Sequence, residues 1–468
     1  MVSVLRPLSP RRLPLCSARL LALVLLVVAP WCYGGTTPGA LRGLTLALLA
    51  LSGLALVGWG CEKRLPRVDW TGWVGIGLLA LGWLSTLLPR AEFDELTKLL
   101  FPIEGARWPG TVDAVRSLPV MLRLTGLAGL FFLLFDLATE PRWRKRLWLT
   151  LAVSGGGVAL HGLVQQVEGD IWGYWQGRRL PFTVFAGFWY HGNAAAFLNL
   201  TWPFAVALAL KSFRSPGAQV ARAGWTFVSL LLMAAALVNV SKAGHLLLLL
   251  QMALLGLFVL PPFLRTWQAE SGRQRRPYAA LLLVVAGLGL ALVFGLDGMK
   301  SRWSELTLER LRGESRLESA RFCLRELPAA GWLGRGPGTF EAVFLDAGTR
   351  DPERVPRGRW RYAHQDSLQT LVEWGWLGGC LWLGTAAALG WRTWRELRRL
   401  RRPLFSRRHA LQAAAFTSLT GLLLHAQMDF PLQILSVQMA ALAVVALGAV
   451  RARDDSTGCQ APRASSLP

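Results

Sequence analysis

Several stretches of this chain carry side chains able to move a proton or hold an anion. "RYAHQDSLQTLVEWGWLGG" places His364 just ahead of an apolar run, with Glu373 further along it. "LLLHAQMDFPLQ" carries His425 and Asp429, "NVSKAGHLLL" carries Lys242 and His245, and "GRRLPFTVFAGFWYHGNAAAFL" carries Arg178, Arg179, His191 and Asn193. Arg310, Arg312, Arg316, Arg321 and Arg325 crowd an interval ahead of His364. An imidazole titrates near neutral pH, so it can accept the proton of a hydroxyl. Guanidinium groups match phosphate oxygens in pairs and, where water is scarce, stabilise charge on a diphosphate leaving group. Such a set fits transfer of a group, such as a sugar, from a lipid-linked diphosphate to a hydroxyl acceptor.

Each residue also has a structural reading. Arg321 and Arg325, one helical turn apart, fit a solvated face or partners for Glu318 and Glu326. Lys242 could snorkel to headgroups, Asn193 could cap a helix, and His364 could be an interface histidine. Glu373 sits at the edge of an apolar run, where an ionisable group is a functional candidate by default, though a capping or network role also fits. "EFDEL" offers Glu92, Asp94 and Glu95 as the one acidic cluster that could hold a metal, a spacing that also arises by accident. No metal ion or other cofactor is expected. The Gly-rich "SGGGVALHG" at 154–162 lies inside an apolar run and fits helix packing better than phosphate binding, and no GxxxxGK[ST] motif is present.

The elements that must position these residues are membrane helices. Over half of the 468 residues are hydrophobic, mean hydropathy is +0.37, and the apolar residues fall into runs long enough to span a bilayer. The 22 Trp suit the lipid–water interface. Twelve spans are expected, near 19–34, 40–59, 69–88, 118–138, 147–166, 192–210, 224–240, 244–264, 279–297, 367–391, 409–426 and 431–450. The net charge of +23 belongs to short basic connections such as "PRWRKR" and "RTWRELRRLRRPLFSRRH" rather than to a nucleic-acid surface. If those connections are cytoplasmic, so are both termini. The N-terminal apolar run is read as a retained first helix, not a cleaved signal peptide. The six cysteines form no CxxC or metal-spaced pair, so neither a zinc site nor a disulfide framework is indicated.

The expected architecture is thus an all-α polytopic membrane protein in four parts. Residues 1–297 hold helices one to nine, 298–366 a large outside loop, 367–450 helices ten to twelve, and 451–468 a polar, disordered cytoplasmic tail. The outside loop carries 13 basic residues, but long loops translocate regardless of charge. Within it, apolar residues at 303, 306 and 311, then at 317, 320, 324 and 327, have amphipathic-helix spacing. "GWLGRGPGTF" then breaks the helix. The loop should form a helical cap over the outer surface.

Four stretches together resemble the O-antigen ligase and polymerase superfamily. "HQDSLQTLVEWGWLGG" is similar to its H-N-x-x-L-x-x-L-x-E-x-G-x-x-G signature through His364, Leu368, Leu371, Glu373, Gly375 and Gly378, with Gln365 in place of Asn. "GWLGRGPGTF" resembles its P-x-x-G-x-G-x-G-x-F element through Gly334, Gly336, Gly338 and Phe340. "RRLPFTVFAGFWYHGNAAAFL" resembles R-x-x-G-x-F-x-N-x-N-x-x-A-x-x-L through Arg179, Asn193 and Ala196, with His191 where Asn is commoner. "VSKAGHLLLLL" resembles S-R-G-x-x-L, with Lys242 replacing Arg. The resemblance covers about residues 178–430.

The resemblance implies a metal-independent, inverting glycosyl transfer at the periplasmic face of a bacterial inner membrane. The donor would be a glycan on undecaprenyl diphosphate and the acceptor lipid A–core or a similar hydroxyl. His364 would be the base. Arg316, Arg179 and Lys242 would hold the diphosphate, and Asn193, Glu373, Gly336 and Gly338 would support them. A polymerase of O-antigen or exopolysaccharide, or a protein O-oligosaccharyltransferase, would share these motifs. Membrane lipids would be further partners, and nucleic acid would not. A transporter, the alternative from another class, would need internal repeats, matched broken helices and midplane charges, whereas the polar groups here gather at one face.

Overall fold

The structure is a computed structural model that describes residues 10–68, 70–169, 184–213, 215, 217–270, 304, 315–358, 360–400 and 406–451. The chain is an all-α membrane protein. Its helices are α1 (Leu13–Val28), α2 (Pro38–Cys61), α3 (Trp70–Leu87), α4 (Ala114–Ala138), α5 (Pro141–Glu168), α6 (His191–Phe213), α7 (Gln219–Val238) and α8 (Lys242–Glu270). After these come α9 (Ser315–Ala330), α10 (Phe340–Arg350), α11 (Asp366–Arg399), α12 (Arg407–His425) and α13 (Leu435–Ala449). Eight helices among the described residues, α1 with its flanking 3-10 turns (Pro10–Trp31) and α2 to α8, are long and apolar enough to cross a membrane. They match the first eight expected spans. The ninth, at 279–297, lies outside the described residues, as do the apolar positions 303, 306 and 311 and the tail beyond Arg451.

α6 is the helix around which the others assemble. Small side chains, Ala194 to Ala196 and then Ala205, Ala207 and Ala209, are all buried and let neighbouring backbones close in. α5 answers with glycine: a Cβ on Gly155 would come within 2.2 Å of Thr201 Oγ1. Gln251 of α8 ties three helices together, donating to Asn199 and Thr417 carbonyls at 3.1 Å and accepting from Trp202 at 3.0 Å. Large apolar side chains on the outer helices, such as Leu46, Leu56 and Phe227, stay exposed. That is the expected arrangement where the solvent is lipid.

The tenth expected span, 367–391, is corrected. Gly375 inside α11 has φ 66° and ψ −171°, which breaks the helix into Asp366–Trp374 and a continuous run from Trp376 to Arg399. The first piece belongs to the cap. Between α3 and α4 a short antiparallel hairpin, β1 (Ala91–Phe93) with β2 (Leu100–Pro102), closes around "DELTK". Asp94 builds that turn, accepting from Leu96 N, Thr97 N and Thr97 Oγ1, while Glu95 pairs with Lys98 and Arg116. These two carboxylates are therefore committed to loop structure, and no group of three or more metal-capable side chains exists among the described residues.

The cap packs on a small core of its own, with Phe322, Cys323 and Leu327 of α9 against Phe340, Val343 and Phe344 of α10 and Val372 of α11. The buried stripe of α9 is thus offset from the expected one. Leu317 and Leu324 are 47% and 54% exposed, while Ser319, Phe322 and Cys323 face inward. The hydroxyl of Ser319 explains its place inside: it donates to the Ala363 carbonyl at 2.9 Å and so fastens α9 to the segment that carries His364. Arg321 and Arg325 lie on the exposed face. Glu326 pairs with Arg335 at 3.1 Å rather than with a helix neighbour.

Candidate active site

The glycine element and the break at Gly375 interlock. A broken helix leaves backbone groups without intrahelical partners. The Val372 and Glu373 carbonyls accept from Arg335 N at 2.9 Å and Gly336 N at 2.8 Å, and Trp376 N and Leu377 N donate to the Gly331 and Trp332 carbonyls. The two strands of chain pass so closely that a Cβ on Gly334 would sit 2.2 Å from the Glu373 carbonyl oxygen, and one on Gly375 would sit 2.4 Å from Gly334 N. Glycine is required at both places, for space and for positive φ. The Glu373 side chain completes the joint. It accepts from Gly338 N at 2.9 Å, Gln369 Nε2 at 3.0 Å and, more weakly, Phe340 N at 3.4 Å, which puts a carboxylate at the amino end of α10. Gly336 and Gly338, at φ 111° and 75°, form the loop it holds. Glu373, Gly336 and Gly338 therefore set the position of the cap and do not reach the His364 cluster.

His364 stands two residues ahead of α11, at the opposite end of the Asp366–Trp374 helix from this joint. Its φ of 53° is rarely adopted by a residue with a side chain. The ring is wedged edge-on between Phe430 and Trp360, with centroids 4.6 and 4.9 Å away. Its Nδ1 lies 2.9 Å from Asp429 Oδ1, in the turn between α12 and α13. The other carboxylate oxygen accepts from the Tyr190 hydroxyl at 2.9 Å, and that hydroxyl accepts from Arg316 Nη2 at 2.8 Å. Arg316 Nη2 is also 3.7 Å from Asp429 Oδ2. Four residues from four separate stretches thus form one hydrogen-bonded chain.

The turn that carries Asp429 is clamped to the start of α11. Asp366 N donates to the Ala426 carbonyl, and the Asp366 carboxylate accepts from Leu432 N at 2.8 Å and Gln433 Nε2 at 2.9 Å. Phe430 N adds a bond to Asp429 Oδ1 at 3.1 Å. Gly192 lets the turn approach α6: a Cβ there would fall 2.7 Å from Asp429 Oδ2 and 2.5 Å from Tyr190 Cε1.

Charge follows from this geometry. Burial works to raise the pKa of Asp429, but the hydrogen bond from His364 and the charge of Arg316 outweigh it and hold the carboxyl below its usual range. Burial, then the charge of Asp429, pushes the Tyr190 hydroxyl well above the ordinary phenol value, so it stays a donor. An ionised Asp429 can only accept, so His364 donates Nδ1–H to it, which in the neutral ring leaves the lone pair on Nε2. His364 retains 23% side-chain exposure and Arg316 34%. A base held in one tautomer, with its lone pair clear of a carboxylate and a guanidinium nearby, is equipped to deprotonate a hydroxyl beside an anion.

Of the residues expected from sequence, His364 and Arg316 come together. Lys242 is the first residue of α8, half-buried, with no hydrogen bond or ion pair to a described residue. It sits beside this end of α6, because Asn239 Nδ2 donates to the His191 carbonyl. Arg179 lies outside the described residues, as do Arg178, Arg310 and Arg312. Asn193 is the third residue of α6, not its cap, and its buried Oδ1 has no hydrogen-bond partner among the described residues.

Asp429 and Tyr190, to which the sequence assigned no role, are central to the site. Arg123 of α4 is 7% exposed with no hydrogen bond or ion pair to a described residue, and lies within electrostatic reach of Tyr362 and Glu373. Asp429 is the one acidic residue in "HAQMDFPLQ" and stands among the polar groups the sequence singles out. No local pattern announces Tyr190 or Arg123. No family model matches this chain, and no curated protein is significantly similar to it.

Proposed function

We propose that this protein is an O-antigen-ligase-like glycosyltransferase that moves a glycan from undecaprenyl diphosphate to an acceptor hydroxyl. The reading rests above all on the His364–Asp429–Tyr190–Arg316 chain, which joins a tautomer-fixed base to a guanidinium at one end of the bundle. His364 Nε2 takes the acceptor O–H proton. The acceptor oxygen attacks the anomeric carbon, and the bond from that carbon to the diphosphate oxygen breaks with its electron pair. The proton rests on His364, now an imidazolium stabilised by Asp429. Arg316, with Lys242 and Arg179, carries the charge that develops on the leaving diphosphate. Attack from the face opposite the leaving group inverts the anomeric centre. The chemistry needs no metal.

In this reading twelve helices cross the inner membrane with both termini in the cytoplasm, and the cap over His364 is periplasmic. The acceptor is lipid A–core or a comparable glycan hydroxyl. The test supplies purified protein with a lipid-diphosphate glycan and candidate acceptors, with and without EDTA. Transfer should proceed in EDTA and yield the inverted linkage. No transfer to any hydroxyl acceptor, or loss in EDTA restored by a divalent metal, contradicts the proposal. Labelling of single cysteines placed in 315–358 from the cytoplasmic side overturns the topology.

A further inference from the structure

The end of the bundle remote from His364 holds a cavity of about 700 Å³. Arg67 reaches it from the α2–α3 connection, Arg392, Arg395 and Arg399 from the end of α11, and Arg451 from just beyond α13. One carboxylate stands among them: Glu396 lies 3.7 Å from Arg399 and 3.6 Å from Arg451. Five guanidiniums and one carboxylate leave a net +4 (5 − 1) on the wall. The rest of the wall is apolar, supplied by Val68, Phe135, Ala449 and Val450. The cations are only partly committed to the fold. Arg392 donates to the Ala449 carbonyl and Arg67 to Thr139 Oγ1, whereas Arg399 and Arg451 are 59% and 69% exposed and Arg395 is exposed with no described partner.

We propose that this cavity binds the headgroup of a membrane phospholipid bearing two phosphate groups, of the diphosphatidylglycerol kind. A cationic rim joined to an apolar wall at helix ends meets a lipid at the level where headgroup and acyl chain meet, and basic pockets between membrane helices suit such headgroups. A soluble anion would gain nothing from the apolar wall. A headgroup with one phosphate would offset one of the four net charges; two phosphates, each met by a guanidinium fork, offset twice that. The volume is within the range of small-molecule sites. Bound there, the lipid bridges α11, α13 and the α2–α3 connection on the side away from the transfer site.

The test uses the full chain, delipidated in detergent, with native mass spectrometry and thermal unfolding as readouts. Added diphosphatidylglycerol should be retained one per chain and raise the melting temperature. Phosphatidylglycerol at equal total charge, and inorganic diphosphate, should bind markedly less well. Removing Arg395, Arg399 and Arg451 together by alanine substitution should weaken lipid binding about tenfold or more. Removing Arg142, Lys145 and Arg146, three exposed cations on the same side of the bundle, should change it less than about twofold. The single exposed change Arg395→Glu should also weaken binding if the triple variant does not fold. Equal losses from the two triple variants, inorganic diphosphate competing as well as the lipid, or phosphatidylglycerol binding equally, would overturn the proposal.

Discussion

Two buried carboxylates lie at opposite ends of this bundle, and they are treated differently. Asp136, near the far end of α4, is fully buried and saturated with cations: Arg19 at 3.0 Å and Arg64 at 2.6 Å, with Glu140 sharing Arg19 at 2.8 Å. Trp59 Nε1 adds a longer contact at 3.4 Å. Asp429 is 2% exposed, yet its partners are a histidine, a tyrosine and, at 3.7 Å, an arginine, and two of these remain partly open. Both ends solve the same problem, a charge removed from water. The Asp136 end closes the network on itself and so locks α1, α4 and the α2–α3 connection. The Asp429 end leaves an imidazole nitrogen and a guanidinium facing outward. On the proposed function, a carboxylate that fixes a base in one tautomer without neutralising it serves chemistry rather than stability.

The contrast can be broken by substitution at either end. His364→Ala should have the largest effect, lowering the transfer rate by about 10²–10⁴-fold with the melting temperature nearly unchanged. Asp136→Ala should do the reverse. It strands Arg19 and Arg64, costs about 3–5 kcal/mol of stability, and leaves the rate per folded molecule near wild type. Rates normalised to folded protein separate the two, and a catalytic defect in folded Asp136→Ala would erase the distinction drawn between the ends. Gly192→Ala comes next. Its new Cβ would push Asp429 and Tyr190 apart, and a displacement of this kind should cost up to about 10²-fold in rate with substrate affinity kept.

The smallest effect concerns the clamp. Burial pushes Asp366 up to about 8, against the hydrogen bonds from Leu432 and Gln433 that favour its ionised form. The folded state therefore holds this proton more tightly than the unfolded one. Its contribution is fullest below the ordinary carboxylate pKa and is lost as pH rises toward 8. Asp366→Asn should flatten that part of the melting-temperature profile between pH 5 and 9. A profile unchanged by the substitution would contradict the assignment.

Local chemistry was legible in the sequence and long-range assembly was not. Runs of apolar residues predict twelve spans, and the first eight recur as helices in the fold, the first shifted by about a turn and a half. His364 stood out by residue type and position, and Arg316 was one of five arginines crowded ahead of it. What brings them together is a turn 65 positions away in the chain and a tyrosine ahead of α6, and no periodicity reports contacts of that range. The α9 stripe is offset because Leu317 and Leu324 stay exposed, while Ser319, whose hydroxyl bonds to a backbone carbonyl, faces inward beside Phe322 and Cys323. The break in α11 had a visible cue in the glycines of "EWGWLGG", but its need arises from the second strand of chain threaded against Gly375.

The central claim is that His364 and Asp429 act as one unit, and a double-mutant cycle tests it most directly. Rates of glycan transfer are measured for His364→Ala, Asp429→Asn and the double variant, each normalised to folded protein. Groups acting as a unit give strongly non-additive losses. The predicted result is a loss of about 10²–10³-fold for Asp429→Asn and a double variant no slower than His364→Ala alone. Multiplying losses, or a His364→Ala protein that transfers glycan at the wild-type rate, would contradict it.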